Sequence, residues 1–311
     1  MGKTIRTKSF SYFCINKIHT MIFKSKILLS CVFIILLNTQ VMSTQEKAAY
    51  QLYTSGGEKV EYNDLLNSAL QANVIFFGEF HDNPICHWLQ NEILRDLYEE
   101  YGDRLVFGGE FFEADDQLKI DEYLSGLISQ NNFEREARLW NNYKTDYKAM
   151  LEYAKENNIP FIATNVPRRY ANLVFREGPE ALHELPQASL NYIADLPYEV
   201  DFELRTYESM MEMARGRGNN NFVYAQAIKD VTMAHFINSN LNENQVFYHI
   251  NGSFHSNYKE GIIWYLKKMR PELKILNIAT VLEEDATLWN KDNRDLGDFI
   301  LAIPERMSRS Y

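Results

Sequence analysis

Cysteine is almost missing from this chain. Three occur in 311 residues, Cys14, Cys31 and Cys86. The first two fall in an N-terminal stretch that reads as removable, so the remainder can form no intrachain disulfide and no thiolate metal centre. Cys86 reads as a small helix-packing residue. Apolar runs of membrane-spanning length are missing too: Ile27 to Leu37 is about half of the roughly 20 residues a bilayer demands. There is no internal repeat at a 20 to 50 residue period and no low-complexity segment. Positive charge is scarce where it would matter. The formal net charge is −10, and the first 43 residues hold six basic residues and no acidic one, so the remainder stands at −16. That balance argues against nucleic acid and against an anionic membrane surface as partners.

What is present begins with a targeting signal. Lys24 and Lys26 precede the apolar run, and Val41-Met42-Ser43 supplies a cleavage site before Thr44, the pattern of an exported protein with a signal peptide over 1–43 and translation open to a start at Met21. Leu28-Leu29-Ser30-Cys31 has the look of a lipoprotein box, but Cys31 lies inside the apolar run rather than after it. The 311-residue chain, whose mature part is read as 44–311, is rich enough in apolar residues (46%) and aromatics (14%) to bury a large core.

Its organising stretch is Asn73 to Asn83, NVIFFGEFHDN. Four apolar residues run into Gly78, and Glu79 and His81 follow, as expected of a buried strand with a polar cluster at its carboxyl end. In an open parallel sheet that edge collects ligand sites. Pro84 then opens a helix to about Tyr101, closed by Gly102. A second strand, Leu105 to Gly109, delivers Glu110 at its end. A third, Pro160 to Thr164, ends at Asn165, with Arg168 and Arg169 beyond. The βαβαβ alternation predicts an α/β fold with a mostly parallel central sheet flanked by helices.

From about 170 to 240 the pattern is helical throughout, interrupted by Gly178-Pro179, Pro186, Pro197 and Gly216-Arg217-Gly218. This predicts an all-helical insertion between the third and fourth main strands, with Gln226, Asp230 and Met233 on one face of its last helix, capped from Asn219 to Asn221. Strands resume at Gln245 to Ile250, Lys274 to Ala279 and Phe299 to Ile303.

Two copies of Gly-x-x-His, Gly78 to His81 and Gly252 to His255, each follow a strand directly. With Glu110 and Asn165 they put two imidazoles, two carboxylates and an amide at the ends of four strands expected to be neighbours. Neutral imidazole with carboxylate suits Zn, Mn or Fe. His81, Glu110 and His255 are therefore the candidate ligands of a divalent transition metal, and Glu79 the general base for a metal-bound water. Asp230 is expected to turn toward the same cluster. Arg168 and Arg169 read equally as an anion-binding pair or as counterions of Glu79 and Glu110. His249, inside its strand, and the tyrosines Tyr143, Tyr147, Tyr207 and Tyr224 read as packing residues.

Five blocks in order, GEFHDN, GGEFFEADDQLKIDEYLSG, IPFIATNVPRR, QAIKDVTMAHFI and HINGSFHSNYKEGIIWYL, resemble the ChaN-like family of haem-binding, iron-regulated proteins. Its superfamily includes the Tiki and TraB proteins and the erythromycin esterases. The resemblance implies Glu79, His81, Glu110, Asn165, Arg168, Asp230, Gly252 and His255 as site residues. It also implies a protein of the periplasm or cell envelope that handles haem and is compatible with a homodimer around it. Membrane association is expected only through the N-terminal segment. The axial ligand stays open among Tyr, His and Met. The aromatic helical insertion is the expected porphyrin face, independent of His81 and His255. The alternative is a metal-dependent hydrolase of a peptide, ester or amide bond.

Overall fold

In the computed structural model the described residues are 47–213 and 220–310. The signal segment 1–43, the break at Gly216 to Gly218 and Asn219 lie outside them. Residues Ala48–Tyr311 form one compact unit, and its described residues hold a single sheet of eight strands.

The sheet grows from β3, Val74–Glu79, whose six residues are all buried. Alternate strand side chains point to opposite faces. Ile75 and Phe77 pack with Leu89, Ile93 and Leu97 of α2 (Pro84–Tyr101), whereas Val74 and Phe76 pack on the other face with Ile228 and Val231 of α9 (Asn221–Ser239). Phe76 and Phe77 have no solvent exposure, and each contributes roughly 1.5–3 kcal/mol by burial. The α2 helix begins as its sequence dictates: the Asn83 side chain accepts from the Ile85 and Cys86 amides, Pro84 stands at the first turn, and Gly102 ends it at φ 53°, a left-handed conformation glycine tolerates.

Beyond β1 (Gln51–Thr54), β2 (Lys59–Val60) and α1 (Tyr62–Ala69), the chain alternates β3, α2 and β4 (Leu105–Glu113). Then come α3 (Gln117–Leu124), α4 (Gln130–Glu136), α5 (Lys148–Glu156) and β5 (Phe161–Asn165). The segment after β5 holds α6 (Arg168–Glu177), α7 (Gln187–Leu190), α8 (Arg205–Met213) and α9, with no strand among its described residues. The chain closes through β6 (Val246–Gly252), α10 (Ile262–Met269), β7 (Ile275–Glu283) and β8 (Phe299–Pro304). The order is β2-β1-β8-β7-β3-β6-β4-β5. The six strands from β8 to β5 are parallel, and at one edge β1 pairs antiparallel with both β8 and β2.

Three details depart from the sequence reading or add to it. Strands β1 and β2 have no counterpart in it, because their alternation is too short to stand out. Strand β4 does not end at Gly109 but continues to Glu113, with a register shift against β5 between Gly109 and Glu113, so Glu110 sits at an irregularity within the strand. The connection before α5 carries α4 and a wide helical turn over Tyr143–Tyr147. The expectation that the site-bearing strands neighbour one another agrees with the order β3-β6-β4-β5.

Candidate functional site

Strand parity decides where each carboxylate goes. Glu79 follows Ile75 and Phe77 by twos and so faces α2. There it is almost fully buried (3% exposed) and held from three sides. Tyr147 Oη and Gln90 Nε2 each lie 2.5 Å from its oxygens as donors, and His81 Nδ1 lies 2.8 Å from Oε1. Burial pushes the Glu79 carboxyl up, but the hydrogen bond from His81, the charges of His87 and His81, and the hydrogen bond from Tyr147 outweigh it, leaving it below the usual carboxylate range. Burial likewise opposes protonation of His81, and Glu79 and Glu110 overcome that and raise it above the usual imidazole value.

The His81 ring is fixed in other ways too. Its backbone carbonyl accepts from Asn142 Nδ2 (2.7 Å) and lies 3.1 Å from His87 Nε2, and Trp140 packs edge-on with ring centroids 4.8 Å apart. The adjacent Asp82 is gripped by the C-terminal tail, through Arg309 Nη1 at 2.5 Å and the Ser310 amide at 2.9 Å. With Nδ1 committed to Glu79, Nε2 lies beside Gly252, where a Cβ would come within 2.8 Å of it. Only glycine leaves that room.

Glu110 continues the parity of Val106 and faces α9. Its Oε2 accepts from the Gly252 amide at 2.8 Å, and its Oε1 lies 3.3 Å from His255 Nε2. The other ring nitrogen of His255, Nδ1, is hydrogen-bonded to Asp230 Oδ1, and Asp230 Oδ2 accepts from Tyr207 Oη at 2.6 Å. Two carboxylates thus bracket one buried imidazole. Burial lowers the His255 value, but Glu110 and Asp230 overcome it and lift it to about 9, so His255 is an imidazolium at neutral pH. Burial would raise Glu110, yet the charge and hydrogen bond of His255, with His81 and Lys229, hold it well below the carboxylate range. For Asp230 burial wins, and its carboxyl is raised despite His255.

A cavity of about 370 Å³ opens over these strand ends, lined by His81, Glu110, Trp140, Asn165, Arg168 and Lys229 among others. It gathers His81, Glu110, Asn165 and Arg168 from the predicted set, while Glu79, Asp230 and His255 stand behind its wall. The predicted counterion role of the arginines is corrected: Arg168 Nε lies 3.9 Å from Glu113 and Arg169 Nη1 2.5 Å from Asp115, because Glu79 and Glu110 already have imidazole partners. His249 is a packing residue as expected, with Thr164 Oγ1 2.8 Å from Nε2, and burial lowers it to about 4. Tyr147 and Tyr207 are more than packing residues, and Lys229 escaped the sequence reading because its helix is apolar around much of its circumference. The predicted ligand trio does not form a coordination sphere: both His255 nitrogens are spent on carboxylates. Among the described residues no group of three or more His, Cys, Asp or Glu is arranged to hold a metal ion.

A family model described as haem-binding uptake, Tiki superfamily, ChaN matches residues 65–266. The chain belongs to this family. Among solved structures it is similar to ChaN of Campylobacter jejuni, described with cofacial haem binding: TM-score 0.62, 16% identity, 81% of this chain and 96% of that one. It matches an erythromycin esterase mutant in its open conformation less well, at TM-score 0.45 and 12% identity over 74% and 77% of the two chains. At these identities the likeness shows the fold alone. No curated protein matches.

Haem, which the family implies, can be tested against two places. In the helical segment, adjoining grooves share His183 and Leu196 and include Tyr198 and Tyr224. There His183 lies on the exposed surface 3.7 Å from Glu180, and Tyr198 Oη donates to the Tyr224 carbonyl at 3.0 Å. At the strand ends, by contrast, His81 is an oriented imidazole whose second nitrogen is uncommitted, with Trp140, Leu139 and Val166 as apolar wall. A carboxylate behind a histidine is the arrangement that orients an iron ligand. The strand-end donor set fits.

Proposed function

We propose that this chain is an exported haem-binding protein of the cell envelope, acting in haem or iron acquisition, and that the strand-end cavity receives the haem. The observation that carries this reading is the family match joined to the oriented, half-exposed His81 in an aromatic-walled cavity. When bound, haem supplies an iron that takes a nitrogen, oxygen or sulfur ligand. His81 would offer that ligand, Glu79 would hold its ring, and Trp140 would cover an apolar face. This replaces the helical segment as the expected porphyrin face. Export is supported by the basic and apolar pattern before Thr44, with the mature domain over 44–311. No helix among the described residues is long and apolar enough to cross a membrane. A haemin titration of the whole chain, followed in the Soret region, should give a saturable, shifted band. Sedimentation with and without haemin tests pairing into a homodimer.

A second reading, hydrolysis of a peptide, ester or amide bond, is favoured by the same Glu79–His81 pair. A buried carboxylate on Nδ1 leaves Nε2 placed to take a proton from water or a substrate hydroxyl. Its test is turnover of activated esters and amides alongside measured transition-metal content. Activity lost in His81→Ala supports it, and absence of turnover in the wild type removes it.

A further inference from the structure

The turn that carries His81 has each of its carbonyls occupied. The Asn83 amide donates to the Phe80 carbonyl at 2.9 Å, and Asn142 Nδ2 donates to the His81 carbonyl at 2.7 Å. The Asp82 carbonyl accepts from the Ser310 amide at 2.9 Å and from the Ser310 hydroxyl at 3.0 Å. Arg309 Nη1 adds a contact of 2.5 Å to Asp82 Oδ1. A partner 228 residues away in sequence thus holds the residue next to His81.

The sheet explains how that partner arrives. Strands β8 and β3 are parallel with β7 between them, so the chain leaves β8 on the edge that carries His81, roughly 10 Å from the end of β3. The Glu305 amide donates to the Glu283 carbonyl at 2.8 Å, the Met307 amide donates to the Pro304 carbonyl at 2.9 Å, and Met307 packs against the core on the α2 face. Arg309 and Ser310 are thereby brought to the His81 turn. Their contacts contribute little net stability, because both members of the ion pair are about one-third exposed and ordering the segment costs entropy. What they restrain is geometry. Glu79 holds the ring at Nδ1, and Nε2 stands so close to Gly252 that a Cβ there would come within 2.8 Å of it. A small tilt of the turn therefore changes where Nε2 points.

We propose that Arg309 and Ser310 are positioning residues, a strap that fixes the turn at Asp82 and so sets the angle at which the His81 imidazole meets a ligand in the cavity. The strap rests on the reading of His81 as the haem ligand. It deepens that reading by adding the segment after β8 to the site: Glu79 orients the ring, and the strap orients the main chain beneath it.

The test uses the whole chain with Arg309→Ala, with Ser310→Pro, which removes the amide and hydroxyl donors together, with Asp82→Ala, and with Asp82→Ala and Arg309→Ala combined. Arg309→Lys serves as rescue. Each is read by haemin affinity in a Soret titration and, without haemin, by the side-chain nitrogen resonances of His81, assigned against His81→Gln. Melting of every variant should stay close to that of wild type. Arg309→Ala and Ser310→Pro should each weaken haemin about tenfold and displace the His81 resonances while those of His249 and His255 stay in place. The combined variant should bind no more weakly than Asp82→Ala alone, because both changes break one contact, and Arg309→Lys should restore most of the affinity. Unchanged haemin affinity or unmoved His81 resonances in both Arg309→Ala and Ser310→Pro overturn the strap. So do additive losses in the combined variant, or His249 and His255 resonances that move as far as those of His81. If wild type shows no saturable haemin band, the haem reading fails separately, and the His81 resonances alone decide the strap.

Discussion

The two Gly-x-x-His motifs look alike as sequence and behave oppositely in the fold. His81 has a side chain 36% exposed and lines a cavity, with one nitrogen on a carboxylate and the other beside Gly252. His255 has a side chain 6% exposed and a carboxylate at each nitrogen. The same four-residue form therefore yields one imidazole that can meet a ligand and one that neutralises buried charge. The cause is what the opposite sheet faces supply. Glu79 points toward α2 and finds neutral donors in Gln90 and Tyr147. Glu110 points toward α9 and finds a second carboxylate, Asp230, which only a shared cation makes tolerable.

The largest break in this comparison should come from His255→Ala. It strands Glu110 and Asp230 without their cation, and chemical denaturation should show a loss of about 3–5 kcal/mol. His81→Ala, at a half-exposed position where Glu79 keeps Gln90 and Tyr147, should cost less than about 1 kcal/mol. Equal losses would erase the distinction. Next is pH. The His255 value in the fold, about 9, lies above the ordinary 6.5. Its stabilisation is therefore fully present below pH 6.5 and lost as pH rises to about 9, an effect on the order of 3 kcal/mol. Melting curves of wild type should fall across that window, and those of His255→Gln should fall much less, by the share that belongs to His81. Glu110, lowered in the fold, contributes stability above about pH 4.5 that is lost on further acidification.

Smaller effects sharpen the contrast. Tyr207→Phe and Tyr147→Phe each remove one hydroxyl donor to a buried carboxylate and should each cost about 1–2 kcal/mol by denaturant titration. The Tyr207 change should also narrow the alkaline loss of stability, because it loosens Asp230. The Tyr147 change should leave that profile alone. Arg309→Ala removes a partly exposed pair with Asp82 and should shift stability by less than about 0.5 kcal/mol.

Much of this was legible in the chain. The apolar run before Gly78, the capped helix from Pro84 and the recurrence of Gly-x-x-His placed a polar cluster at neighbouring strand ends, and the family blocks fixed the fold. The rest required three dimensions. Tyr147 is 68 residues from Glu79, and nothing local marks a core tyrosine as a donor. The position of Glu110 depends on a register shift against β5, which periodicity does not register. Asp230 could be assigned to a helix face, but not its sharing of His255 with Glu110, and that sharing separates a ligand-facing histidine from a buried one.

The central claim is tested most directly by haemin titration of wild type, His81→Ala and His255→Gln, at a temperature where all three are folded. The account predicts a saturable Soret shift in wild type, an altered band and weaker binding in His81→Ala, and a wild-type band position in His255→Gln. An unchanged titration in His81→Ala, with the band lost in His255→Gln, would contradict it.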